Sequence, residues 1–515
     1  MNRWSALALL LILAGALALR VPRLDTRPLH NDEAVNAVKV SELWQHGRYA
    51  YDPDEYHGPA LHYATLPFLW LSEARSPDEL HDATLRLAPV AFGIGLIFLL
   101  LLFVDGLGRP AVVWAAVFVA VSPAMVFYSR YFIHEMLLVF FSALTLGAGW
   151  RYWQSRAARW AVVAGAGLGL MFATKETFVI SLAAMGLAGI ITAWWTMPAP
   201  RRFQSLRASW NWKHATFAAC AALVVWLLLF SSFFTNSAGL LDSARTYLPW
   251  LKRAGGHSPH IHPWSFYLER LAWFHPVKGP TWSEGLILAL AAVGAGVSLA
   301  GRKSLLHRFL ALYTLALTAA YCLISYKTPW CLLNFYLGMI LLAGVGASTL
   351  VELFAARSLR IVSVAALVTL TFQLSWQSWR ASFVYSADRR NPYVYAQTAP
   401  DLLNLVRKLE GIARVAPAGF ETPVKVSAPG SDYWPMPWYL RRFKQIGWYE
   451  KMPDDPYAPI VVASAKLDAR LDEKSGRKWI MVGLTELRPG KFLELYVELE
   501  LWKKYVETLP RDLEE

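Results

Sequence analysis

The 515-residue chain is 56% hydrophobic and holds 24 Trp, 26 Phe and 22 Tyr, far more apolar and aromatic content than a water-soluble domain carries. Its net charge of +13 is spread over many loops, and no soluble segment interleaves a basic patch with exposed aromatics, so nucleic acid is excluded as a partner. Of the three cysteines, Cys220 and Cys322 lie within apolar runs and Cys331 opens another, which argues against a disulfide framework or a cysteine zinc site.

The first element is the apolar run from Trp4 to Leu19. Arg20, Pro22 and Arg23 follow it where a signal peptide would have a small-residue cleavage site, so it reads as a retained first span. With about 20 residues needed to cross a bilayer, further spans are expected near 84–104, 111–127, 133–150, 160–173, 177–195, 214–234, 284–300, 309–325, 331–354 and 361–377. The count is about eleven, with the 160–173 run unusually short for a crossing.

Between these runs, Arg3, Arg109, Arg151, Arg156, Arg159, Arg201, Arg202, Arg207, Lys213, Arg302, Lys303, Arg308, Arg357 and Arg360 all fall in one alternating set of loops. Lys and Arg accumulate on the cytoplasmic side, so that set and the N-terminus are assigned to the cytoplasm of a plasma-membrane protein. The outer set is then 21–83, the turns 128–132 and 174–176, the long loop 235–283, the turn 326–330 and everything beyond the last span. The predicted domains are a transmembrane α-helical domain, 1–377, and an extracytoplasmic α/β domain, 378–515.

Within the first outer loop, Ala34, Val35, Val38, Leu43 and Trp44 alternate with Asn36, Lys39, Ser41 and Glu42, a pattern for an amphipathic helix lying in the interface. Leu61 to Leu71 is apolar but too short to span. After Tyr385 the composition turns charged. Strand-like runs at Val424–Ser427, Ile460–Ala463 and Trp479–Leu484 alternate with helical stretches at Ala399–Glu410 and Met436–Phe443, and no Gly-rich phosphate loop follows any strand.

Four of the outer loops share one feature: they bring charge to the same membrane face. His30, Asp32 and Glu33 belong to the first, Arg130, His134 and Glu135 to the second, Lys175 and Glu176 to the third, and Tyr326, Lys327 and Trp330 to a fifth. Singly, each has a structural reading. Asp32 and Glu33 suit the start of a helix, with Asn31 a competent cap. Arg130 with Glu135 suits an interfacial ion pair, His134 a packing residue, and Lys327 with Trp330 an interface anchor. Together they suit sugar transfer from a lipid phosphate: a carboxylate takes the proton of a hydroxyl nucleophile, while cations stabilise the departing phosphate.

The acidic pair Asp32-Glu33, the acid Glu135 at the second outer turn and the late Lys327 resemble the GT-C class of membrane glycosyltransferases, which use polyprenyl-phosphate sugars. The class includes protein O-mannosyltransferases and the aminoarabinose lipid A transferase. More narrowly, His30-Asn31-Asp32-Glu33-Ala34, Ser325-Tyr326-Lys327-Thr328-Pro329-Trp330, Arg390-Asn391-Pro392-Tyr393-Val394-Tyr395, Tyr433-Trp434-Pro435 and Trp438-Tyr439-Leu440-Arg441 resemble a flippase-activity-associated family. That family is linked to archaeal N-glycosylation and has bacterial members. The class resemblance implies an inverting displacement at the anomeric carbon with a glycan, protein or lipid hydroxyl as acceptor. Asp32 would be the general base, Glu33 or Glu135 its support, and Lys327, Arg130 and Lys175 the phosphate ligands, with His30, His134, Glu176, Tyr326 and Trp330 in supporting places. No cofactor is required. A divalent metal on Asp32 and Glu135 is optional, since hard cations favour oxygen ligands.

The run His257-Ser258-Pro259-His260-Ile261-His262 is a second candidate metal or substrate loop. Two other functions compete with transfer. A flippase for lipid-linked glycans would need ionisable residues in mid-span, which these runs nearly lack. A non-catalytic partner in glycosylation would use the outer domain to bind glycan or protein.

Overall fold

The computed structural model describes residues 3–54, 57–196, 211–254, 260–300 and 304–510. Arg201, Arg202, Arg207, Arg302, Lys303 and residues 257–259 of the histidine run lie outside them. The chain divides into two compact units: 1–24, 42–72 and 83–395 form the first, and 25–41, 73–82 and 396–515 the second.

The first unit is helical. Among the described residues six helices are long and apolar enough to cross a membrane, at Asp82–Leu107, Phe178–Thr196, Trp212–Phe230, Leu305–Leu323, Pro329–Glu352 and Arg357–Val384. A bent pair, Arg109–Val121 and Pro123–Ser129, adds a broken seventh, and Leu7–Arg20, Ala158–Phe172 and Gly285–Ala300 are shorter apolar helices. The Ala158–Phe172 helix lies tight against Trp212–Phe230 through small residues. A Cβ on Gly165 would fall 2.0 Å from the Ala218 carbonyl oxygen and one on Gly169 2.8 Å from that of Ala222, the close backbone approach by which helices associate in lipid.

The 111–127 run, read above as one span, is two helices meeting at 57°. Pro123 explains the break: it supplies no N–H to the ladder and keeps Ser122 out of the helical region. The break exposes backbone groups where water is scarce, and every such group needs a partner. Arg20, fully buried, donates to the Val119 and Ala120 carbonyls, both at 2.7 Å, and the Ser378 hydroxyl donates to that of Val121. On the other side of the break, the Ser122 hydroxyl accepts from the Met125 N–H at 3.2 Å. The Glu284 carboxylate accepts from the Ala124 N–H at 2.8 Å and from Ser122 Oγ, Tyr336 Oη and Tyr393 Oη, each at 2.6 Å.

Tyr393 belongs to a segment expected in the outer domain, and the boundary moves accordingly from 377 to 395. The last helix runs on from Trp379 through a π-helical turn to Val384. Asn391 Nδ2 donates to the Ala381 and Tyr385 carbonyls at 3.1 Å, and Trp282 Nε1 donates to the Arg390 carbonyl at 2.7 Å. These bonds explain the Arg390-to-Tyr395 motif as an anchor of the first unit.

The second unit contains a five-stranded mixed sheet: β1 (Val424–Ser427), β2 (Ile446–Tyr449), β3 (Ile460–Ser464), β4 (Trp479–Arg488) and β5 (Lys491–Glu498), in the order β2-β1-β3-β5-β4. β1 pairs parallel with β2 and β3, while β5 runs antiparallel to β3 and β4. The expected α/β character is present, with β2 and β5 added. The expected helix at 399–410 is Asp401–Val415, and that at 436–443 shortens to Met436–Tyr439.

Two pieces of the 21–83 loop belong to this unit. Asp82 accepts from Trp438 Nε1 at 2.8 Å and from Tyr439 Oη at 2.6 Å, and Tyr439 Oη accepts from the Leu29 N–H at 2.7 Å. Arg441 donates to the Pro77 and Leu80 carbonyls at 2.8 and 2.5 Å, and Thr398 Oγ1 to that of Leu29 at 2.8 Å. The Trp438-to-Arg441 motif is therefore a clamp on that loop. The Asn31–His46 helix, expected in the lipid interface, buries Ala34, Asn36, Ala37, Val40 and Ser41, a protein-facing pattern that includes two polar side chains.

Glu284→Leu strands four buried donors, each costing about 1–3 kcal/mol, whereas Glu284→Gln keeps an acceptor for some of them. Thermal unfolding in detergent, followed by tryptophan fluorescence, is expected to show a large loss for Leu and a smaller one for Gln. Equal losses would contradict the network.

Candidate active site

In the first unit, five loop segments come together, and the break at Ser122-Pro123 aims one of them. Gly58 is pinned against the 173–175 turn: its N–H donates to the Thr174 carbonyl at 3.1 Å, and the Ala60 N–H donates to that of Ala173 at 2.8 Å. A Cβ on Gly58 would sit 2.1 Å from the Ala173 oxygen, so no other residue permits this approach. His57 and Lys175 pair there as an antiparallel bridge.

Lys175, 5% exposed, donates to Glu135, 1% exposed, in a buried ion pair at the start of the Glu135–Ser155 helix. Burial opposes the ammonium charge, but the Glu135 carboxylate outweighs it, and the net effect holds Lys175 protonated more firmly than usual. Cys331, from the Pro329–Leu332 turn, lies within electrostatic reach of both.

His134, fully buried, donates Nε2–H to the Gly58 carbonyl at 3.1 Å. Its ring lies 4.9 Å from that of His57 and 5.6 Å from that of His62. Glu176, 4% exposed, accepts from His57 Nδ1 at 3.3 Å.

A second set of contacts surrounds Lys327. The 260–262 segment pairs with 325–327: the His262 N–H donates to the Ser325 carbonyl at 3.1 Å and the Lys327 N–H to that of His260 at 2.8 Å. Lys327 Nζ donates to the His262 carbonyl at 3.1 Å and to that of Ile324, and burial lowers its affinity for the proton. His260 Nδ1 and His262 Nε2 both lie 2.9 Å from Tyr395 Oη. Tyr326 packs on His260 at 5.1 Å between rings, and Trp330 lies between Tyr131 and Tyr395 at 6.3 and 6.1 Å.

Arg130 differs from expectation. Its guanidinium donates to the Arg20, Pro22 and Arg23 carbonyls at 2.7, 2.8 and 3.0 Å and covers the Phe383 ring at 4.6 Å. Cations at a helix C-terminus satisfy its last carbonyls, and Arg130 forms such a cap on the first helix.

In the second unit the acidic pair divides. Glu33, fully buried, accepts from the His30 N–H at 2.9 Å and from Arg27 Nη2 at 3.3 Å. His30 Nδ1 accepts from the Asp32 N–H at 3.1 Å. This is a reciprocal capping box with histidine as the cap, and Glu33 is committed to it. The Asp32 side chain is 40% exposed, with Oδ1 3.8 Å from His30 Nδ1. Burial holds His30 below the usual imidazole range against the pull of Asp32 and Glu33, so the ring accepts rather than donates at Nδ1.

Among the described residues no group of three or more His, Cys, Asp or Glu is arranged to hold a metal ion. The acids offered for the optional metal do not form a shared donor set within one unit: Asp32 belongs to the second and Glu135, committed to Lys175, to the first.

Comparison with known proteins agrees with this architecture. The model of a family described as dolichyl-phosphate-mannose-protein mannosyltransferase matches residues 60–241, while no curated protein matches. Among solved structures, ArnT from Cupriavidus metallidurans bound to undecaprenyl phosphate superposes with a TM-score of 0.60 at 14% identity, covering 94% of this chain and 97% of that one. The apo oligosaccharyltransferase of Archaeoglobus fulgidus gives 0.58 at 13% identity, covering 87% of this chain and 64% of its own. The protein is thus a multi-pass membrane protein with the GT-C glycosyltransferase fold. Its mannosyltransferase-like stretch, 60–241, takes in Glu135, Lys175 and Glu176.

Two outcomes test the site's electrostatics. Glu33→Ala loses the box and the Arg27 pair and is expected to destabilise by about 2–4 kcal/mol, while Asp32→Asn leaves unfolding nearly unchanged; the reverse order in a melting assay would contradict the division. Burial, then His57, His62 and Lys175, hold His134 well below its ordinary value. Below about pH 6.5 the unfolded chain binds a proton that folded His134 refuses, so its contribution is full above that pH and lost on acidification. The fall in Tm between about pH 7.5 and 5.5 should therefore shrink in His134→Gln; an undiminished fall would count against it.

Proposed function

We propose that this protein transfers a sugar from a polyprenyl-phosphate donor to a hydroxyl acceptor at the extracytoplasmic face of the plasma membrane. The observation that carries the reading is the shared fold along nearly the whole of ArnT, solved with undecaprenyl phosphate, in a chain whose first unit gathers Lys175, Glu135 and Lys327 into loop-borne clusters.

In the proposed reaction the acceptor oxygen attacks the anomeric carbon from the face opposite the phosphate. The new carbon–oxygen bond forms as the bond to the phosphate oxygen breaks, and the configuration inverts. Asp32 takes the acceptor proton, its exposed carboxylate leaving it accessible while Glu33 holds the helix start. The phosphate leaves with the bonding electrons, and Lys175 and Lys327 offset its growing charge. Glu135 keeps Lys175 protonated. Asp32 belongs to the second unit and the lysines to the first. The buried ions Arg20 and Glu284 engage backbone and hydroxyl groups at helix ends, which disfavours reading them as a flippase path.

The test is consumption of radiolabelled polyprenyl-phosphate sugar by purified protein. Asp32→Asn is expected to lower turnover by at least about 100-fold, the lower range for a lost general base, with donor affinity kept. Lys175→Met is expected to weaken donor binding. Unchanged turnover in Asp32→Asn would remove it as the base.

A further inference from the structure

Glu176 and His134 each bury an acceptor that the protein leaves unmatched. Glu176 Oε2 meets His57, but Oε1 is buried with no hydrogen-bond partner. His134 gives Nε2–H to Gly58, which leaves Nδ1 as a lone pair, also buried without a partner. His57 joins the two, bonded to one and 4.9 Å ring to ring from the other. A carboxylate accepts, so His57 donates from Nδ1. The His57 side chain is 33% exposed, which gives the cluster an entrance. Tyr51 and Tyr247 border it, near enough that the Glu176 charge adds to burial in raising both phenols.

A lining of acceptors selects a ligand that brings donors. A metal cation fits poorly: no three-residue metal group exists among the described residues, and the ammonium of Lys175 already acts on His134. Hydroxyl groups fit, since each supplies one hydrogen and carries no charge.

We propose that Glu176, His57 and His134 form a subsite for the hydroxyls of the transferred sugar, and that Glu176 excludes sugars bearing a carboxylate. This rests on the donor reading above and names the part of the donor that these residues recognise.

The test is binding to full-length protein in nanodiscs of three probes: bare polyprenyl phosphate, polyprenyl-phosphate hexoses including mannose and glucose, and a polyprenyl-phosphate hexuronic acid. Wild type is expected to bind at least one hexose lipid more tightly than the bare lipid and to reject the uronic acid. Glu176→Gln turns an amide N–H toward the sugar; it should lose about tenfold for that hexose lipid, the worth of one hydrogen bond. The same variant should keep its affinity for the bare lipid and gain the uronic acid. Equal losses for bare and hexose lipids, or no change for any probe, would overturn the subsite while leaving the donor reading intact. Failure of wild type to bind any of the lipids would overturn both. Tight binding of Zn²⁺ alone that disappears in Glu176→Gln would replace the sugar with a metal. His134→Gln, whose amide N–H still reaches Gly58, is expected to repeat the hexose-specific loss.

Discussion

The constraint on which the first unit depends is the broken helix at Ser122-Pro123. A helix interrupted at membrane depth leaves carbonyls at one end and N–H groups at the other without water to satisfy them. Arg20 and Ser378 take the carbonyls, and Ser122 with Glu284 takes the N–H groups. Once satisfied, the break turns the Pro123–Ser129 helix and delivers the 130–135 turn to the loops that carry Lys175 and Trp330. Arg130 continues the pattern by capping the first helix. Arg20, Arg130 and Glu284 thus close helix ends, while Glu135 pairs with Lys175 near the loop ends.

The same distinction operates in the acidic pair of the second unit. Glu33 is consumed by local structure, as a carboxylate three residues after a helix cap often is. Asp32, one residue earlier, points away from that work. Two adjacent acids of one type acquire different capacities because one faces its own helix start and the other faces outward. The capping reading therefore applies to Glu33 and leaves the Asp32 side chain 40% exposed.

Much of the helical layout was legible in the sequence, because apolar runs report helix positions with little interference from tertiary context. The mixed sheet of the second unit was visible in β1, β3 and β4, whose runs are rich in β-branched or aromatic residues, but β2 (Ile-Gly-Trp-Tyr) is short and carries a glycine. The break at Pro123 had a local signal that the apolar count overrode. Glu284 also had one, an acid heading an apolar run, though its four partners come from residues 122, 124, 336 and 393 and no local pattern encodes them. Membership of 25–41 and 73–82 in the second unit was hidden for the same reason: it rests on Trp438, Tyr439 and Arg441, some 350 or more positions away in sequence. Charge convergence at the loops was legible, but which cations serve helix ends depends on backbone geometry alone.

The central claim is that the loop clusters around Lys175 and Lys327 receive a lipid phosphate. The most direct measurement is an experimental structure of the protein in a lipid nanodisc with polyprenyl phosphate bound. The account predicts phosphate oxygens within hydrogen-bond distance of Lys175 or Lys327. Phosphate density seated instead on the basic loop of Arg151, Arg156 and Arg159, with both lysines unmoved in their present bonds, would contradict it.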